Sequence, residues 1–139
     1  MKLALDTSVI VAALDGEDPD HAACRKLLLS AKFSICTHAL SETFATLTGG
    51  RLAVRISPEN AASILRQQVA PRMVLISLEE MELLKAYDES TRRGIRGGAI
   101  YDYLHLAAAR KAGAARIYTL NTADFKAFHR SGDPEIRRP

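Results

Sequence analysis

Short apolar runs alternate with longer stretches of helical periodicity along the whole chain. Residues 2–5, 33–36, 73–77 and 116–120 have the length and side chains of buried strands. Residues 135–137 offer a fifth candidate, although Ile136 is the one apolar residue between Asp133 and Pro139. Asp20 is placed to cap a helix whose apolar face is Cys24, Leu27, Leu28 and Ala31. Thr37 precedes another, with Leu40, Phe44 and Leu47 turned inward. Ser57-Pro58-Glu59 is a helix start, and Ala61, Ile64, Leu65 and Gln68 would form its inner face. Ser77 and Glu80 have capping-box spacing ahead of Met81, Leu84 and Tyr87. Ile100, Tyr103, Leu104, Ala107 and Ala108 complete the series, with Gly113 as the stop.

Strands separated by helices pair in parallel through right-handed crossovers. The expected fold is therefore a three-layer α/β/α sandwich around a mainly parallel sheet of four or five strands. Two helices in succession separate the second strand from the third, and the third from the fourth. At 139 residues the chain fits one domain, residues 1–139, and 47% hydrophobic residues suffice for one core.

Composition narrows the function modestly. A net charge of +3 permits a polyanionic partner without requiring one. With 6% aromatic residues and no Trp, base stacking is not the main binding mode. Cys24 and Cys36 have no C-x-x-C spacing and read as buried free thiols of a reducing compartment. No run approaches the roughly 20 apolar residues of a membrane span, so the expectation is a soluble, cytoplasmic protein.

The chemistry lies in four acids. Asp6 ends the first apolar run, where an open α/β sheet places its ligand crevice. It is either a helix cap or a ligand. Glu42 lies off the apolar stripe of its helix, as a solvated surface acid would. Asp102 stands in the first turn of a helix that is apolar nearly all round. Such a helix is buried, so its acid needs a partner, and the helix dipole supplies part of one. Asp124 follows the fourth strand in Thr119-Leu120-Asn121-Thr122-Ala123-Asp124-Phe125, consistent with an Asx turn or a short-helix cap.

Together the four can converge on one crevice, where they would stay ionised only with cations present. Mg²⁺ or Mn²⁺ is the natural counterpart of carboxylate oxygens. His21, His38, His105 and His129 form no paired zinc motif, and Ser8 and Ser41 lack a nucleophile-elbow context. Arg92, Arg93 and Arg96, in a glycine-rich loop ahead of Asp102, are candidate phosphate contacts. Arg51, Arg55, Arg137 and Arg138 are weaker ones.

Leu5-Asp6-Thr7-Ser8, Glu42, Gly98-Ala99-Ile100-Tyr101-Asp102 and the segment from Thr119 to Phe125 together resemble the PIN-domain family, and within it the VapC-type toxins. The resemblance spans nearly the whole chain. It implies a PIN-like fold and a Mg²⁺- or Mn²⁺-dependent ribonuclease. It also implies a homodimer, and a cognate antitoxin whose tail reaches the acidic pocket. On this resemblance Asp6, Glu42, Asp102 and Asp124 correspond to the catalytic acids, with Asp6 and Asp102 as metal ligands. Thr7 corresponds to the hydroxyl beside the first acid, and Thr119 and Asn121 to polar support for the fourth. The departure is the short polar C-terminal stretch, which leaves the closing edge strand open.

The expected activity is hydrolysis of RNA phosphodiesters. The alternatives are a catalytically silent PIN module that binds RNA or protein, and a phosphohydrolase using Asp6 as nucleophile. The latter usually has a second acid two residues on, where this chain has Ser8.

Overall fold

The computed structural model describes residues 1–139. Its sheet has five strands: β1 (Leu3–Leu5), β2 (Phe33–Cys36), β3 (Met73–Ile76), β4 (Arg116–Tyr118) and β5 (Glu135–Arg137). They lie in the order β3-β2-β1-β4-β5 and every pairing is parallel. The chain leaves β1 toward β2 on one side, and the later strands β4 and β5 fill the other. The sheet therefore has its topological switch between β1 and β4, where the crevice of an open α/β fold lies. The polar end segment does close the sheet, with Ile117 opposite Ile136 in the β4–β5 register.

Seven α-helices connect the strands: α1 (Thr7–Leu14), α2 (His21–Ser30), α3 (His38–Thr48), α4 (Pro58–Ile64), α5 (Glu80–Arg93), α6 (Ala99–Lys111) and α7 (Thr122–Phe128). Strand alternation divides the core in two. Leu5, Phe33, Ile35 and Met73 join α1, α2 and α3 in one cluster. Ala4 and Ile117 join α5, α6 and α7 in the other. Ala4 and Ser34 are small, so α6 comes down onto the centre of the sheet. Tyr103, Leu104, His105, Leu106, Ala108 and Ala109 of α6 are all buried. Cys24 and Cys36 are free and buried. Burial pushes the Cys24 thiol up to about 11, helped by Asp20 and Asp18.

Several expectations about helix caps and faces change. The capping box of α5 is Glu79 with Glu82, not Ser77 with Glu80: Glu79 N–H donates to Glu82 Oε1 at 2.9 Å. The Ser77 carbonyl instead accepts from Lys111 Nζ. Met81, Leu84 and Tyr87 face outward, while Leu83, Ala86 and Ser90 turn toward α6. Leu83 and Ala86 each stand two residues, or about 200° around a helix, from Met81 and Leu84. Small side chains took the inner face because they let the two helices approach.

The helix from Pro58 is interrupted by a π turn at Leu65–Val69. The wider turn brings Val69 into the core and leaves Gln68, expected inside, exposed. On α3 the buried residues are Ala39, Thr43 and Leu47, with Leu40 and Phe44 half-buried. Ala31 lies beyond the end of α2 and is exposed, and Asp20 and Thr37 make no side-chain cap bond.

Candidate active site

β1 and β4 deliver the first elements of the site side by side. Asp6 follows β1 directly and is 1% exposed. Its Oδ1 accepts from Ser8 Oγ at 2.6 Å and from Val9 N–H at 3.3 Å, so it does cap α1. Its Oδ2 accepts from Thr119 Oγ1 at 2.6 Å, from the end of β4. Thr119 in turn accepts from Asn121 N–H at 2.9 Å, and Ser8 Oγ accepts from Leu120 N–H at 3.0 Å. These bonds staple the two strand ends together around one carboxylate. Burial raises the Asp6 pKa, opposed by the charge of His105 and the donors Ser8, Thr119 and Val9.

Thr119→Val removes the donor to Oδ2 inside a fully buried contact. It should destabilise the fold by about 1–2 kcal/mol, read as a lower urea midpoint with unchanged m. An unchanged midpoint would mean that the bond contributes nothing.

Glu42 comes in from α3. Its Oε1 accepts from Thr7 Oγ1 at 2.8 Å and lies 3.1 Å from His105 Nε2. His38 Nε2 is 3.0 Å from the same oxygen but off the hydrogen-bond direction. Burial would raise the Glu42 pKa, but His105, His38 and Thr7 outweigh it and hold the carboxyl far below the usual range. The imidazoles of His38 and His105 are 4.3 Å apart between centroids. His38 Nδ1 faces Cys36 Sγ at 3.0 Å. Burial pulls the His38 pKa down, yet Cys36 and Glu42 raise it to about 9.

Asp102 stands in the first turn of α6, half-buried. Burial first, then the charges of Asp6, Glu42 and Asp124, push its carboxyl up to about 7, with His38 pulling the other way. No hydrogen bond offsets that rise. Asp124 is exposed in the first turn of α7 yet still acts on Asp102 through its charge. Acids from four separate segments thus share one field at the carboxyl edge of the sheet.

The remaining expected residues divide. Thr7 and Thr119 are in the site, each bonded to an acid. The Asn121 side chain is exposed and makes no cap bond; its backbone N–H supports Thr119 instead. Arg93 is structural. Its Nη1 donates to the Phe128 carbonyl at 3.0 Å and its guanidinium lies over the Tyr103 ring. Arg92 and Arg96 are exposed in and just after the last turn of α5, which Gly94 ends with φ 67°. Arg137 pairs with Glu135 and Arg138 with Asp20. The Arg55 guanidinium lies against Gly50, and Arg51 lines a hollow beside Glu42.

Ser8, His38 and His105 were the residues sequence reasoning missed. Their signals are spacings: Asp6 and Ser8 at a helix start, His38 and Glu42 four apart, Asp102 and His105 three apart.

A parallel sheet with carboxylates gathered at its topological switch defines a class, the α/β proteins with an acidic site at the strand ends. Within that class the chain belongs to the PIN-domain family, whose model matches residues 3–130. It is 34% identical over 107 residues to Ribonuclease VapC27 of Mycobacterium tuberculosis, covering 77% of this chain and 76% of that protein. The fold is also that of the crystal structure of Mycobacterium tuberculosis VapC20, a Sarcin-Ricin loop cleaving toxin. The TM-score is 0.72 at 21% identity, over 96% of this chain and 100% of that one. VapBC2 from Rickettsia felis, bound to a DNA fragment from its promoter, has a TM-score of 0.69 at 18% identity. That match covers 100% of this chain and 99% of the other.

Proposed function

We propose that this chain is a divalent-metal-dependent endoribonuclease, the toxin of a toxin–antitoxin pair. One observation carries the reading: Asp102 has no hydrogen-bonding partner while Asp6, Glu42 and Asp124 press their charge upon it. A half-buried carboxyl in that field calls for a cation. The oxygen donors of Asp6, Asp102 and Asp124 fit a hard ion, Mg²⁺ or Mn²⁺. The similarity to a protein named as a ribonuclease favours RNA as substrate.

Asp6 and Asp102 would hold the metal, with Asp124 at the open side and Glu42 at the inner one. When bound, the ion supplies charge neutralisation at a phosphodiester and acidifies a water. The chain's own residues set the stage. Ser8, Thr119 and the α1 N-terminus fix the Asp6 carboxylate, and Thr7 with His105 fixes Glu42. The exposed Tyr101 ring, 5.6 Å from His38, is placed for contact with an unstacked base.

The test is purified protein with RNA, first with Mg²⁺ or Mn²⁺ and then with EDTA. Fragments in metal and none in EDTA are expected; cleavage undiminished by EDTA overturns the reading. Arg92→Ala and Arg96→Ala should each flatten the salt dependence of RNA binding, lowering the log–log slope by about 0.7. Filter binding across a salt series measures it, and unchanged slopes in both variants would remove these arginines from the RNA path.

The partners follow from the same reading. An antitoxin segment entering the acidic crevice would carry a basic side chain, complementary to the carboxylates. Met81, Leu84 and Tyr87, respectively 74%, 46% and 46% exposed along α5, give a homodimer an apolar stripe to cover. No helix is long and apolar enough to cross a membrane. A ribonuclease of this kind would act in the cytoplasm.

A further inference from the structure

Beside the oxygen-donor acids lies a group of different chemistry. The Nε2 atoms of His38 and His105 lie 3.0 and 3.1 Å from the same oxygen, Glu42 Oε1. One ligand atom from each of the three residues lies within 4.8 Å of the others. We propose that His38, Glu42 and His105 form a second cation site, selective for a borderline-soft divalent ion such as Zn²⁺ and sharing only Glu42 with the hard-metal acids.

The geometry suits that ion. With Zn–N and Zn–O bonds of about 2.0–2.1 Å, a tetrahedral site has ligand atoms roughly 3.3 Å apart. The two nitrogen–oxygen separations therefore need to open by only a few tenths of an ångström. Two imidazoles and one carboxylate leave the fourth position to water or substrate, the open form of a zinc site. Imidazole nitrogen favours zinc over magnesium, so the two ions would sort themselves between the two halves of the crevice.

The surroundings are unequal. His38 has Cys36 Sγ at 3.0 Å behind its Nδ1, a weak acceptor that can hold the proton at that ring position. His105 is buried, and its Nδ1 has no partner, so moving its proton there on ligation carries a penalty. His38 is the more exposed of the two side chains and the one to test. Its side chain is 20% exposed, and replacing it does not open the core as replacing His105 would. Because Glu42 belongs to both halves, a zinc ion bound at its Oε1 would compete with the nuclease site for this carboxylate. Zinc would then act as an inhibitor set against magnesium.

The binding claim can be read without RNA. Protein freed of metal with EDTA is titrated with Zn²⁺ against a chromophoric chelator, and with Co²⁺ for the visible absorption of a tetrahedral site. About one Zn²⁺ per chain is expected. His38→Ala, and separately His38→Gln, should weaken it by at least about tenfold, with circular dichroism confirming the fold. Asp102→Asn removes a carboxylate and no nitrogen, so its effect on the affinity should be smaller than that of either His38 variant. Three results overturn the site: no stoichiometric Zn²⁺ binding, unchanged affinity in both folded His38 variants, or a loss in Asp102→Asn as large as theirs. Absence of RNA cleavage in Mg²⁺ would defeat the nuclease reading and leave this one standing.

Discussion

Asp102→Asn should lower metal-dependent RNA cleavage by at least about 10²–10³-fold while making the metal-free protein more stable. The two halves have one cause. Asp102 carries a carboxyl that burial and three neighbouring acids hold at about 7, and no hydrogen bond repays that cost. Asparagine keeps the shape and removes the charge, so the fold is relieved of a strain that only a cation otherwise relieves. The expected gain is roughly 1–2 kcal/mol at pH ~8 in EDTA, discounted from the shift because the group is partly exposed. Single-turnover cleavage and urea unfolding measure the two quantities.

An ordinary structural acid would behave in the opposite way, losing stability on replacement and keeping activity. Asp6→Asn is the poorer probe. Both Asp6 oxygens accept hydroxyl protons, from Ser8 and Thr119, so an amide NH₂ must oppose one of them. Its loss of activity would be mixed with loss of fold.

The sheet was legible because its strands are short apolar runs bounded by helical periodicity, and every run expected to be a strand pairs in parallel. Strand order was not legible, since a crossover of given length reaches either side of β1. The face of α5 was misjudged for a related reason. Met81, Leu84 and Tyr87 outweigh Leu83, Ala86 and Ser90 in hydrophobicity, but the close approach of α5 to α6 selects for smallness. Hydrophobic pattern records what a side chain prefers, not what its neighbour leaves room for.

At the site, acids at strand ends and in first turns could be read locally. Sequence separation hid the hydrogen-bonded support. Thr119 lies 113 residues from Asp6 and His105 lies 63 from Glu42, so only the closed sheet and the seated α6 make these contacts. Asp6 also shows that cap and site are not alternatives. The carboxylate that starts α1 is oriented by that cap, and the resulting geometry is what a ligand needs.

The metal-free protein should be most stable near pH ~5 and lose stability toward pH ~8, against the trend of a protein dominated by ion-paired carboxylates. An acid whose native pKa is raised holds its proton longer in the folded state than in the unfolded one. Asp102 therefore erodes stability as pH rises from its ordinary value of 3.8 toward about 7. Asp6 is raised as well and acts in the same direction. His38 adds to the loss. Its native pKa of about 9 exceeds the ordinary 6.5, so its contribution is complete below 6.5 and vanishes on passing through 9. Glu42 is the counterweight: its lowered pKa stabilises above its ordinary 4.5 and is lost only in acid.

After discounting for exposure, Asp102 and His38 together should cost about 3 kcal/mol between pH ~5 and pH ~8, or roughly 6–12 °C in Tm. Mg²⁺ or Mn²⁺ competes with protons for Asp102. It should therefore raise Tm at pH ~8 and do almost nothing at pH ~5, where the carboxyl is protonated. In Asp102→Asn the metal response should disappear and the decline above pH ~6 should shrink to the share of His38 and Asp6. Thermal unfolding across pH, with EDTA and then with excess metal, separates these outcomes. A metal-free Tm that climbs between pH ~5 and ~8, or metal stabilisation that survives in Asp102→Asn, would mean that the acids at the sheet edge do not act as one group.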